Sequence, residues 1–435
     1  MERSGVAALP FVRVLTRSVH RVRQVALGEA TAWRNGELTV SAQEAAALVT
    51  APCLADVRIC CTSPGDSVRI VKVLDAVEPR TKGPGGGGMF PGWLSPSGRL
   101  SGALDHDVSD PGVTLLRGAA VVVAGYLPRA QEAVIYMSGP AAELSPFGTT
   151  HNVVIEFTPA PGADWAEVDD ALRRGSLALA ARLAEAALDV PPDEEEQLPE
   201  PGAVDGLPRV GAVTNLQTQG VFKDVFVRGK SFSGQPPTLI DPDEVDDGAV
   251  VSGQFGHPSL RNPTWVHQNH PVVNALRARH GRDLAFAGLM ISPEPVSAAD
   301  KAQVSAAAAQ LCAEAGWQAV ILTKEGGGNA DADMSLKMDA LEDMGIAAVG
   351  LFAEMAGPDG TGPPVVVPPE RATAMVSTGN YDTRLDLPEM ERALGGEELA
   401  LLNVPATSAM PLPTAVILGS LSPLGWGRLT CFQEP

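Results

Sequence analysis

Four of the seven histidines, His257, His267, His270 and His280, fall within 24 residues of one another. Histidine exchanges protons near neutral pH and is the commonest nitrogen ligand for metals. His267 and His270 stand three apart, which puts both on one face of a helix or on opposite faces of a strand. A zinc site asks for three or four ligands, each ring braced by a second contact. His257, His267 and His270 would supply three, but their spacing matches no zinc signature, and none of the five cysteines lies nearby. The plainer reading is polar loop histidines bonded to backbone. The alternative is a metal ion, or an acid–base role for at least one ring.

A second polar stretch follows three glycines, in Glu325-Gly-Gly-Gly-Asn329-Ala-Asp331-Ala-Asp333. Its Asn-x-Asp-x-Asp spacing resembles the start of a calcium loop, and Glu342 is twelfth counting from Asp331. Leu336, however, occupies the position that needs glycine. Acids also favour the first turn of a helix through its dipole. Helix-start acids are the leading reading, and a polar substrate-binding loop with Asn329 and Asp331 is the other. The cluster Gly83-Pro84-Gly85 to Gly88 lacks the Gly-Lys-Ser/Thr ending of a phosphate loop and reads as a flexible loop. Ser138, in Met-Ser-Gly-Pro, lacks the first glycine of a hydrolase elbow.

The elements that must position these groups fall into two kinds. The first half reads as β-rich, with short Val- and Ile-rich runs at Phe11–Leu15, Glu37–Val40, Val68–Leu74, Ala119–Ala124 and Asn152–Phe157 between Gly/Pro turns. One helix is expected over Trp165–Ala187. Residues 190–206, proline-rich and acidic, read as a solvated linker. They separate a β-rich region at 1–189 from a second region at 207–435. There, strands alternate with helices. Arg209–Asn215 and Leu284–Ile291 are strands; Ser297 caps a helix that Gly316 ends. Ala319–Leu322, a helix ended by Gly345, Ile346–Phe352 and Thr373–Ser377 follow. The fold class is therefore α/β, with a mainly parallel sheet in the second region. Its sites should lie where loops leave the carboxyl ends of strands, as the 325–333 loop does.

Composition narrows the class. There are 32 Lys+Arg against 52 Asp+Glu, a net charge of −20. That balance excludes a nucleic-acid partner, because no basic surplus is present to displace phosphate counterions. No apolar run reaches the ~18 residues of a membrane helix. No signal peptide is seen, and five cysteines without framework spacing point to a reducing, cytoplasmic setting. Scarce lysine with abundant Ala, Gly and Pro suggests a GC-rich genome.

Longer stretches carry a resemblance. They are Val73-Leu-Asp-Ala-Val-Glu-Pro-Arg80, Phe90-Pro-Gly-Trp-Leu94, Leu116-Arg-Gly-Ala-Ala120 and Met137-Ser-Gly-Pro140 through Ser145-Pro-Phe147. After these come Asn215-Leu-Gln-Thr-Gln-Gly220, Pro237-Thr-Leu-Ile240, Asp247-Gly-Ala-Val-Val-Ser-Gly253, Val266-His-Gln-Asn269, Glu325-Gly-Gly-Gly-Asn329 and Gly379-Asn380. In this order they resemble the α/β-subunit proprotein of component B of the glycine, sarcosine and betaine reductases. More distantly they are similar to the D-proline reductase proprotein. The resemblance implies a partner subunit bearing selenocysteine or cysteine, and a small amine or amino-acid substrate. It also implies self-cleavage at a cysteine after Val-Ser-Gly, whose new terminus becomes a pyruvoyl electron sink.

This chain departs at that cysteine. Phe255 holds its place, and a phenyl ring has no β-heteroatom for the acyl shift that makes a pyruvoyl. Three expectations follow. The first is an uncleaved subunit without pyruvoyl, whose site uses His267, Gln268 and Asn269 with His257, Glu325 and the 325–333 loop. The second is a non-catalytic scaffold. The third is cleavage at Ser252 or Ser259. The GC-rich composition also allows a repurposed biosynthetic enzyme that depends on a metal.

Overall fold

The computed structural model describes residues 14–84, 88–96, 112–218, 225–253, 255–421 and 430–431. The amino-terminal strands are β1 (Val14–Arg21), β2 (Leu54–Thr62), β3 (Val68–Ile70), β4 (Val73–Val77), β5 (Arg80–Lys82), β6 (Val113–Arg117), β7 (Ala119–Ala124) and β8 (His151–Pro159). Seven of them, together with the later strand Glu194–Pro199, make two four-stranded sheets, and β3 belongs to a third. In one, β2, β8, β7 and β4 lie side by side. Its strand β7, Ala-Ala-Val-Val-Val-Ala, is buried at every position. Such an unbroken apolar run fits a strand covered on both faces.

The helix α1 (Trp165–Glu185) starts where Asp164 accepts from the Ala166 N–H at 2.7 Å. It turns Val168, Leu172, Leu179 and Leu183 into the core. The expected strand over Val68–Leu74 is instead two strands in different sheets. Lys72 between them has φ +53, which breaks the extended run. Residues 11–13 of the first expected strand, and 85–87 of the glycine cluster, lie outside the described residues.

Residues 190–206 do not form a free linker. Glu194–Pro199 is a strand, β9, paired antiparallel with β1 from Val19↔Glu194 to Val14↔Pro199. Its acids meet arginines that come from far off in sequence: Glu196 receives Arg117 at 2.9 Å and lies 3.5 Å from Arg17. Charge complementarity with a distant strand edge sets the conformation here, and composition alone does not reveal it.

The second region supplies β10 (Arg209–Gln217), β11 (Thr238–Ile240), α2 (Pro242–Asp246), α3 (Thr264–Gln268), α4 (Pro271–Arg279), β12 (Ala285–Glu294) and α5 (Ala298–Glu314). After these come β13 (Ala319–Thr323), α6 (Asn329–Asp343), β14 (Ala347–Glu354), β15 (Ala374–Asn380), β16 (Arg392–Leu394) and β17 (Thr430–Cys431). The main sheet has the order β11-β12-β10-β13-β14-β15-β17. The five inner strands are parallel and the two edge strands antiparallel. This is the expected parallel sheet. Ser297 caps α5 by accepting from the Asp300 N–H at 3.1 Å, and Gly316 and Gly345 end α5 and α6 at φ +69 and +75. Gly211 of β10 lies so close to Trp317 that a Cβ there would sit 2.2 Å from the indole.

The two regions are one body in practice. β16, late in the chain, pairs in parallel with β3. A buried ion cluster spans the seam. Asp246 binds Arg17, Arg80 at 2.7 Å and Arg277 at 3.2 Å. Arg277 also binds Asp243, Arg80 binds Glu78, and Lys82 binds Asp247 at 2.7 Å. Four cations thus face four carboxylates, which is what burying this many charges requires.

Candidate functional site

The first strand of the sheet, β10, sits between β12 and β13. The chain leaves β10 toward β12 on one side and β13 toward β14 on the other, and in sheets of this kind sites lie at the carboxyl ends of two such strands. The loop Lys324–Gly328 emerges there. Glu325 is fully buried in it. Its carboxylate accepts from the backbone N–H of Gln217 at 2.9 Å and of Asn262 at 3.2 Å. His267 Nε2 lies 3.4 Å from the same carboxylate. The next residue, Gly326, has φ +66, and a Cβ there would crowd the Gln217 amide at 3.1 Å.

His267 reaches this point because α3 is pinned at its start. Asp75 accepts from the Thr264 N–H at 2.9 Å and from its hydroxyl at 2.6 Å. A short helix whose first residue is fixed from another sheet presents its fourth residue, His267, in a set direction. The imidazole stands beside a buried carboxylate, and its Nε2 makes no hydrogen bond among the described residues.

The other candidates have different partners. Gln268 exchanges two hydrogen bonds with the backbone of Glu78, at 2.9 and 3.3 Å. Asn269 accepts from Arg80 at 2.9 Å and donates to Glu78 at 3.1 Å. Both therefore clamp the seam between the regions. His270 caps α4, with Nδ1 accepting from the Val273 N–H at 3.4 Å and Nε2 on the Thr214 hydroxyl at 2.7 Å. Neither nitrogen is left for a metal. Burial, and the His267 ring next to it, push the His270 pKa down to about 3. His257 sits at the rim with φ +45, its ring 6.1 Å from that of Tyr381. Burial lowers its pKa, and Lys324 adds to that. Among the described residues no three His, Cys, Asp or Glu side chains come together as a metal would need.

Asn329 opens α6. Asp331 accepts from the Gly328 N–H at 2.9 Å and pairs with Lys324 at 2.6 Å. Asp331 therefore lies in the first turn of a helix.

Sequence reasoning missed a further set. Glu294 ends β12, fully buried, with neither carboxylate oxygen hydrogen-bonded among the described residues. Both side-chain polar atoms of Asn215 are in the same state, as is Gln217 Oε1. Burial first, then the nearby Asp333, push the Glu294 carboxyl well above the usual carboxylate range. The available signal was an acid closing an otherwise buried strand, in Ser292-Pro-Glu294-Pro.

Phe255 is 4 % exposed and belongs to the core of the amino-terminal region. Its carbonyl accepts from the Gln131 N–H at 2.7 Å. Its ring centre is 5.9 Å from the guanidinium of Arg173, which also faces Phe226 at 5.0 Å and Trp93 at 5.8 Å. A residue with no β-heteroatom, packed as core, does not fit a pyruvoyl precursor. Ser252 and Ser259 are buried, and neither hydroxyl has a hydrogen-bond partner among the described residues. Arg173 donates to the Ser252 carbonyl.

No helix among the described residues is long and apolar enough to cross a membrane. A family model described as "Glycine/sarcosine/betaine reductase component B subunits" matches residues 14–409. The chain is 33% identical over 425 residues to "Glycine reductase complex component B subunits alpha and beta" of Acetoanaerobium sticklandii, covering 94% of this chain and 97% of that one. It is 33% identical over 384 residues to "Sarcosine reductase complex component B subunit alpha" of Peptoclostridium acidaminophilum, covering 86% and 87%. To the betaine reductase counterpart of that organism it is 32% identical over 392 residues, covering 86% of each. No solved structure matches.

Proposed function

Because the chain belongs to the glycine/sarcosine/betaine reductase component B subunit family, we propose that it is an uncleaved component-B-type subunit. It holds a small amine or amino-acid substrate for a thiolate or selenolate on a partner subunit. The observation that carries the reading is the buried His267–Glu325 pair, 3.4 Å apart at the carboxyl end of the parallel sheet. In the reaction the partner's sulfur or selenium forms a bond to the substrate carbon. The C–N bond breaks, and its electron pair leaves with the amine. His267, beside the Glu325 carboxylate, manages the proton of the departing amine. Gln268 and Asn269 act at one remove, by fixing the seam on which α3 rests.

A non-catalytic scaffold is the second reading. It draws on Phe255, which removes the family's electron sink. One experiment separates the two. The chain is purified with the product of a neighbouring gene that carries a selenocysteine or reactive cysteine, and the pair is assayed for amine release. Release that needs both proteins, and that is lost with His267→Ala, supports the enzyme. Co-purification with no release from glycine, sarcosine or betaine supports the scaffold.

A further inference from the structure

Strand alternation separates the side chains at the carboxyl end of the sheet into two sets. Thr214, with His270 upon it, belongs to the α4 face. Asn215 and Gln217 point the other way, beside Val213, which packs on α5 and α6. In the parallel register, Ser292 lies alongside Asn215, and Glu294 alongside Gln217. Lys324 emerges one residue past the Thr214↔Thr323 pair, next to Asn215. The helices over this face add Lys301, Asp331, Asp333 and Lys337. Lys301 binds Asp333, Lys324 binds Asp331 at 2.6 Å, and Lys337 is 3.7 Å from Asp333.

These ion pairs leave a remainder, which includes Lys337 Nζ and one oxygen each of Asp331 and Asp333 among the described residues. Glu294, Asn215 and Gln217 Oε1 are buried with no hydrogen-bond partner among the described residues. Leaving such groups unmet is costly, the more so for a charge. With Glu325, whose charge also bears on Glu294, the cluster holds three lysines and four carboxylates, 3 − 4 = −1. The unmet atoms are mostly acceptors, and the missing charge is positive.

We infer that Glu294, Asn215 and Gln217 form the amine-binding subsite, and that it takes a primary or secondary ammonium with N–H groups to donate. This rests on the function proposed above and narrows its substrate class. Glu294 and Gln217 Oε1 accept from the ammonium, while the Asn215 amide and the lysines face the substrate's carboxylate end. A quaternary ammonium has no N–H to give, and none of these residues offers the aromatic face that such cations favour.

The test is calorimetric titration of the full-length chain, alone and with its partner subunit, using glycine, sarcosine and betaine as probes. The first two bind at least about tenfold more tightly than betaine. Glu294→Gln and Gln217→Met each weaken glycine binding by about tenfold or more. The subsite is overturned by betaine binding as well as glycine, by undiminished binding in Glu294→Gln, or by no binding in either setting. Failure of the complex reading is distinguishable: amine binding by the chain alone persists while no partner co-purifies.

Discussion

His267 Nε2 stands 3.4 Å from Glu325 Oε1, with both residues buried and each on a separate element. The helix carrying His267 is anchored through Thr264 to Asp75 of the amino-terminal sheet. The loop carrying Glu325 is anchored to Gln217 of the parallel sheet. The geometry of the pair thus rests on contacts from both regions.

His267→Ala and Glu325→Gln should each lower turnover by about a hundredfold or more, the usual cost of losing an acid–base group. Assembly with the partner, read by size-exclusion chromatography, stays unchanged. Unaltered turnover in both variants would remove the pair from the mechanism.

The seam itself rests on Asp246, which binds three arginines. Burial alone would raise its pKa, but Arg17, Arg80 and Arg277 outweigh that and hold it low. Asp246→Ala removes the carboxylate that three buried guanidinium groups share. The expected loss is about 3–5 kcal/mol of stability, measured from the urea midpoint. A loss below about 1 kcal/mol would mean that the cluster contributes little.

Acid should reveal His270. Its pKa is about 3 in the fold against 6.5 for the free side chain. The unfolded chain therefore binds a proton that the folded chain refuses. This contribution is complete above pH 6.5 and is lost as pH falls towards 3, at about 1.4 kcal/mol per pH unit. Asp243 acts in the opposite sense. Burial raises it from 3.8 to about 6, so its contribution is present at low pH and is lost as pH rises through 6. Comparing the wild type with His270→Gln isolates the histidine: the wild type loses stability faster between pH 6.5 and 5. Parallel pH profiles would contradict the assignment.

Phe255 should behave as a core residue. Phe255→Ala is expected to cost about 3–5 kcal/mol, as large-to-small changes in packed cores do. A change under about 1 kcal/mol would mean that the ring packs loosely, as in a processing loop.

Much of the second region was legible in the sequence because its signals are local. Ser297 caps, Gly316 and Gly345 stop, and the apolar runs between them are strands. The 194–199 strand was hidden because its partners, Arg17 and Arg117, lie far off in the chain. The site was legible in part. His267 and Glu325 stood out by type, but their contact joins residues 58 apart in the chain. Gln268 and Asn269 stood out equally and proved to be clamps on Glu78 and Arg80. Glu294 escaped notice because a single acid in Ser-Pro-Glu-Pro carries no motif. Only the fold shows that it is buried and unmet.

The central claim is that the chain works whole, without a group made from residue 255. The most direct test is the intact mass of an active preparation, taken after denaturation. A single species at 45.2 kDa is the expected result. Two pieces of roughly 26 and 19 kDa, in proportion to the residues on either side of Phe255, would contradict it.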